Sequence, residues 1–244
     1  MMTKKYEFTG ETKEWCGCTL HRIRALRDFT LKSGKKVVKG NLGGWIEKEE
    51  NLSHMGSAWV FDYAQVYGDA RVYDDTWVSD DALVFGDAQV LGNARVSGNA
   101  RVSGNTIICG NACVYGNACV YGNVRVSGNA KIHGNAWVSG DAQVYGDAWV
   151  SGDAQVYGDA RVSGSAKVEK SSDVIWFKNI WSSGRTFTYT RSNGKWAVGC
   201  FYGTGKELIK KAYADSEVSG KCYEAIVRAT EDIYKAIENK EVEK

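Results

Sequence analysis

Three histidines, seven cysteines and one glycine-rich segment hold most of this chain's capacity for chemistry. His133, in Lys131-Ile132-His133-Gly134, is of a type that takes a proton from an acceptor hydroxyl or amine. That role needs a carboxylate or carbonyl to orient the ring and a pocket to hold the acceptor. His21 and His54 are no better placed. The run from Gly199 to Glu207 precedes a helical pattern. Backbone N–H groups at a helix start hold anions, which nominates Thr204, Gly205 and Lys206 as a ligand-binding group. The spacing departs from a phosphate loop by one residue, and Glu207 stands where a metal-holding Ser or Thr belongs. The alternative is a strand-to-helix turn with Thr204 as N-cap. A cysteine nucleophile needs an adjacent base, and none accompanies these thiols in sequence.

Most of these residues sit on, or beside, a repeat that must position them. From Val60 to Val168 a β-branched residue recurs every sixth position, followed by a variable residue, Gly, Asp or Asn, and Ala. Thr76, Thr106 and Val124 replace the Ala. The β-branched residue suits the interior of a pleated strand, and Ala suits a crowded corner. Gly reaches backbone conformations that other residues adopt only at a cost, and Asp or Asn tolerates turns. Three hexads per coil give a period of eighteen residues, roughly six coils and a prism about 30 Å tall. Proline is absent from the whole chain. A ladder of stacked strands requires every N–H, so the absence fits.

Residues beside each inward valine point outward and form three faces. The first carries Tyr67, Leu83, Phe85, Cys119, Tyr121, Trp137 and Tyr157, with Arg101 its only charge. Apolar patches of this size seldom stay exposed on a monomer, so Tyr67, Leu83, Phe85, Tyr121, Trp137 and Tyr157 are expected at an oligomer interface. Terminal segments folding over the face are the alternative. Cys113 and Cys119 lie one hexad apart and so on different faces. The corner column Asp69, Asp87, Asn105, Asn123, Asp141 and Asp159 would hold calcium only if its carboxylates converged. Turn geometry alone explains these residues, so no metal is expected.

The flanks differ. Residues 1–53 read as short strands and turns that cover an open coil end, where unpaired backbone groups would otherwise invite edge pairing. Residues 54–170 are the prism. Residues 171–244 read as a small α+β domain. Its three strands are 174–177, 186–190 and 195–201, with turns at Ser182-Ser183-Gly184 and Ser192-Asn193-Gly194. Helices follow at 206–214 and from Ser219, the second with Tyr223, Ile226, Val227, Thr230, Ile233, Tyr234 and Ile237 on one side. A net charge of +2 argues against bulk nucleic-acid binding, and no apolar run approaches a membrane span. Without an apolar N-terminal stretch or paired cysteine spacings, reduced thiols in a cytoplasm are expected.

The run V-x-G-[N/D]-A-x resembles the hexapeptide-repeat, left-handed β-helix superfamily. That resemblance implies a left-handed, three-sided coil, a trimer, and the acyltransferase activity common in the superfamily, with acyl-CoA as donor and His133 as general base. The string RIRALRDF, then GNLGGWIEKEENLS, then GSAWV resembles the N-terminal segment of phage and prophage hexapeptide-repeat proteins. Family enzymes commonly build the pocket from a loop that leaves the coil, whereas these hexads run without insertion. The expectation is therefore a mainly β protein: a left-handed parallel β-helix with an N-terminal β cap and a small C-terminal α+β domain. It is expected to act as a non-enzymatic oligomeric binding or scaffold protein, a trimer by preference, without a cofactor. A host protein or small nucleotide, met in counter-defence, is the expected partner. The alternative is the acyl-CoA-dependent acyltransferase.

Overall fold

A computed structural model describes residues 4–181 and 184–242, so Ser182 and Ser183 of the expected turn lie outside the described residues. The chain opens with a long hairpin, β1 (Tyr6–Trp15) and β2 (Cys18–Ala25). A small hairpin, β3 (Phe29–Thr30) with β4 (Lys36–Val37), and β5 (Leu42–Ile46) follow. Nineteen two-residue strands then recur every six residues, from β6 (Trp59–Val60) to β24 (Lys167–Val168).

Every third strand stacks in parallel, so Val66 lies beside Val84, Val84 beside Val102, and Val102 beside Val120. This is the eighteen-residue period as expected. The three walls are sheets of nine, six and seven strands. The first wall is longest because β5 pairs in parallel with β7 (Gln65–Val66) and antiparallel with β2. The hairpin thus extends that wall past the repeats and the solenoid makes about seven turns, one more than the hexads alone suggest.

Inside, the valine and alanine columns form one continuous core, each residue at most 1% exposed. The third hexad position takes a left-handed backbone throughout. Gly104 has φ +68°, and a Cβ there would stand 2.8 Å from the Gly122 carbonyl oxygen one coil below. Asp74 and Asp80 adopt the same conformation at φ 62° and 60°. Their carboxylates accept from the Gly92 and Gly98 N–H groups at 2.9 and 2.8 Å, which offsets the strain. At the corners the Asn column is a ladder: Asn105 donates to Asn123 at 3.0 Å, and Asn123 to Asp141 at 2.8 Å. The other two corners run Asn93, Asn111, Asn129, Asp147 and Asn99, Asn117, Asn135, Asp153 in the same way.

In this coil each strand N–H donates to the coil below, as from Gln143 to Ala160. The N-terminal end therefore presents carbonyls and the C-terminal end presents N–H groups. The carbonyls receive donors. Lys5, wholly buried, donates from Nζ to the Ala58 carbonyl at 2.7 Å. Asn51, also buried, donates from Nδ2 to the Gly68 and Ala70 carbonyls at 3.0 and 2.8 Å. At the other end three hydroxyl oxygens accept, one on each wall. Ser171 accepts from Gln155 at 3.2 Å, Thr188 from Arg161 at 2.9 Å, and Ser192 from Lys167 at 2.7 Å.

The C-terminal region forms one antiparallel sheet, β25 (Val174–Lys178), β26 (Thr186–Thr190), β27 (Lys195–Val198) and β28 (Phe201–Gly203). Four strands stand where three were expected, because Gly199 at φ +58° turns the chain inside the expected third strand. Helices α1 (Gly205–Asp215) and α2 (Glu217–Val242) pack on it around Phe187, Trp196, Leu208, Tyr223 and Val227. Of the face expected on α2, Tyr223, Val227, Thr230 and Tyr234 are buried, but Ile233 is 48% exposed. It falls on the solvent side because contact continues along the Val227–Thr230–Tyr234 row. Tyr234 donates to the Ser172 carbonyl at 2.9 Å, which ties α2 to the end of the coil.

Candidate functional site: the aromatic walls

The first wall divides into two halves. In its upper half Tyr67 and Phe85 stack at 5.0 Å with rings 3° from parallel. The hairpin turn, through Trp15 and Cys16, lines a cavity of about 410 Å³ there with Tyr67, Leu83, Phe85 and Arg101. Tyr67, Leu83 and Phe85 are consequently half-buried within the chain itself, and burial pushes the Tyr67 phenol pKa up. For these three, the terminal segment partly takes the place of a partner.

The lower half is more open, met at its end by Trp176 of the C-terminal sheet. Tyr121, Trp137 and Tyr157 are 41%, 51% and 53% exposed. Tyr121 meets Trp137 edge-on at 6.4 Å, and Tyr157 meets Trp176 edge-on at 5.9 Å. Strand pairing sets Cys119 beside Trp137 and Trp137 beside Gln155, so the outward neighbours on this stretch carry no formal charge.

His133 lies on a different wall, inside an aromatic column. Its ring stacks on Tyr115 at 4.8 Å and meets Trp149 edge-on at 6.0 Å. Nε2 is buried without a hydrogen-bond partner. Burial and, secondarily, Lys131 hold the imidazole pKa below its usual range, with Glu169 opposing. The arrangement favours a neutral packing ring and supplies no orienting carboxylate hydrogen bond. The same wall pairs cations with rings, Arg95 over Trp77 at 4.6 Å and Lys131 over Trp149 at 4.4 Å.

Thr204 is the N-cap of α1. Its hydroxyl accepts from the Glu207 N–H at 3.3 Å, and the Glu207 carboxylate accepts from the Thr204 N–H at 2.7 Å. The Thr204 N–H and the Thr204 hydroxyl, the latter at 2.8 Å, both donate to the Glu207 carboxylate and hold its pKa below the usual range. A carboxylate therefore occupies the space an anion would take. Gly205 is buried, with Val227 Cγ1 2.6 Å from where its Cβ would stand, and Lys206 is exposed. Thr204 and Gly205 thus serve helix start and packing. No role is readable from sequence for Lys5, which belongs to no motif, or for Asn51, which falls inside GNLGGWIEKEENLS without a chemistry of its own there.

Among the described residues no three His, Cys, Asp or Glu side chains converge as metal ligands, and all seven cysteines are unpaired. Among the described residues no helix is long and apolar enough to cross a membrane.

The stacked walls and eighteen-residue pairing define a parallel β-solenoid repeat protein. The family described as YdcK beta solenoid repeat matches the chain at residues 64–80, 94–110 and 154–169, all within the coil. No curated protein matches the chain.

Proposed function

We propose that this chain is a non-enzymatic oligomeric binding scaffold, in which the coil is a rigid spacer and the C-terminal sheet and helices present the recognition surface. The observation that carries this reading is the exposed aromatic stretch of Tyr121, Trp137 and Tyr157 on one parallel wall. Exposed aromatic clusters of this kind are typical anchors of subunit contacts. Three copies, each burying this wall around a common axis, form the preferred assembly. Sedimentation equilibrium tests it: the native chain sediments as a trimer and Trp137→Glu as a folded monomer with the native β signature by circular dichroism. A native monomer at tens of micromolar removes the reading.

The similarity of the N-terminal segment to phage and prophage proteins extends the proposal to a phage accessory protein in a host cytoplasm. There it would act on a host protein or small nucleotide in counter-defence. Measurable turnover, with no binder among lysate proteins and nucleotides, would overturn that part. The acyltransferase alternative draws less support. His133 is packed between two rings, and no loop interrupts the strands from Val60 to Val168. Acetyl-CoA binding by calorimetry, with activity lost in His133→Ala, would revive it.

A further inference from the structure

A second cavity lies in the C-terminal region, away from both aromatic walls, between the end of the sheet and α1. It encloses about 290 Å³, room for roughly ten water-sized groups. Val198, Leu208, Ala212 and Tyr223 form its floor and are each at most 8% exposed. Phe201 adds a half-buried ring at one side. Three charged side chains stand at its mouth, Arg185, Lys211 and Asp215, and all three are exposed.

These charges are not consumed internally. Among the described residues, none of the three is held in an ion pair. The Arg185 side chain lies along Gly199, with its Cδ 3.2 Å from where a Cβ there would stand. Glycine leaves the guanidinium stem room to lie flat at the rim. The Lys211 ammonium sits 5.9 Å from the centre of the Phe201 ring. Burial pushes the Tyr223 phenol pKa up, with Arg185 opposing and Asp215 adding to the rise. An apolar floor with a few converging polar groups is the usual form of a small-molecule site. Two cations against one carboxylate leave a single net positive charge at the mouth.

We propose that this cavity binds a small amphipathic monoanion, its apolar body on Val198, Leu208 and Tyr223 and its acidic head between Arg185 and Lys211. The floor excludes a strongly hydrated body, because polar groups there would lose water without gaining partners. The single net charge favours a monoanion over a polyanion. This deepens the recognition role proposed for the C-terminal region and does not depend on the oligomer.

The test uses the full chain, octanoate as probe, and displacement of an anilinonaphthalene sulfonate dye as readout. Octanoate displaces the dye at submillimolar concentration, and octanol needs at least about tenfold more. The exposed-site double variant R185Q/K211Q, checked for an unchanged melting temperature, binds octanoate about tenfold more weakly. Trp137→Glu binds it as the native chain does, whatever its oligomeric state. Absence of displacement, equal competition by octanol, tighter binding of ATP, or full affinity in the double variant overturns the inference. Failure of octanoate with an intact trimer leaves the oligomer reading standing, and a monomer that binds octanoate does the reverse.

Discussion

The two ends of the coil face the same problem with opposite polarity. One end exposes carbonyls, and the chain brings a buried ammonium and a buried carboxamide to them. The other end exposes N–H groups, and three hydroxyl oxygens accept them, one on each wall. A cap need not copy the coil; it need only match its dipole direction, since an unpaired buried backbone group is what must be avoided. The solutions differ in risk. The hydroxyls are neutral and replaceable singly. The N-terminal donors are deeply buried, and one is ionisable.

The largest expected effect comes from that ionisable donor. Burial, with Arg27 adding repulsion and Asp75 opposing, lowers the Lys5 pKa to about 7 from an ordinary 10.5. Above pH 7 the unfolded chain therefore binds more protons at this group than the folded one does. Its contribution to stability must rise with pH until the unfolded lysine also titrates. Relative to Lys5→Met, the native chain should gain up to about 4 kcal/mol between pH 7 and 10. The difference between the two proteins isolates Lys5 from the Tyr6 phenol, whose raised pKa lowers stability above pH 10. Denaturant titrations across that range check it, and a constant difference would show that burial does not lower the Lys5 pKa.

Asn51→Leu comes next. Its carboxamide donates to two carbonyls and accepts from the Glu47 and Lys48 N–H groups at 3.2 and 2.9 Å. Losing all four should cost about 3 kcal/mol, read as a lower denaturant midpoint. At the opposite end, Thr188→Val keeps the shape and removes the acceptor from Arg161, for a loss of about 1–2 kcal/mol. Ser192→Ala should cost least, about 1 kcal/mol or below, because its partner Lys167 is exposed and water can replace the hydroxyl. If Thr188→Val proved as damaging as Asn51→Leu, the asymmetry drawn between the ends would be wrong.

The coil was legible because its signal repeats. A valine every sixth residue identifies the inward column, and eighteen residues return each strand to its own wall. The corner Asn residues were visible as a column, but their mutual hydrogen bonds depend on a coil spacing that only stacking sets. The caps were not legible. Lys5, Asn51, Ser171, Thr188 and Ser192 are common residues outside the repeat, and nothing local marks a lysine near the chain start for burial. The hexad phase puts the outward aromatics on their wall, yet the turn at Trp15 and Cys16 that shelters Tyr67 and Phe85 depends on β5 joining that wall out of repeat phase. His133 and Thr204 stand out in sequence by residue type alone, and their ring stacking and capping box depend on neighbours that only the fold supplies.

The most direct measurement compares two deletions in the middle of the coil. Removing residues 109–126 takes out one full turn and rejoins Ile108 to Ser127 in phase. Removing residues 109–117 shifts every later valine off its inward position. The stacked-coil account predicts that the first variant melts in one cooperative transition with the native β signature, while the second does not fold. Equal melting of the two variants, or unfolding of the in-phase deletion alone, would contradict it.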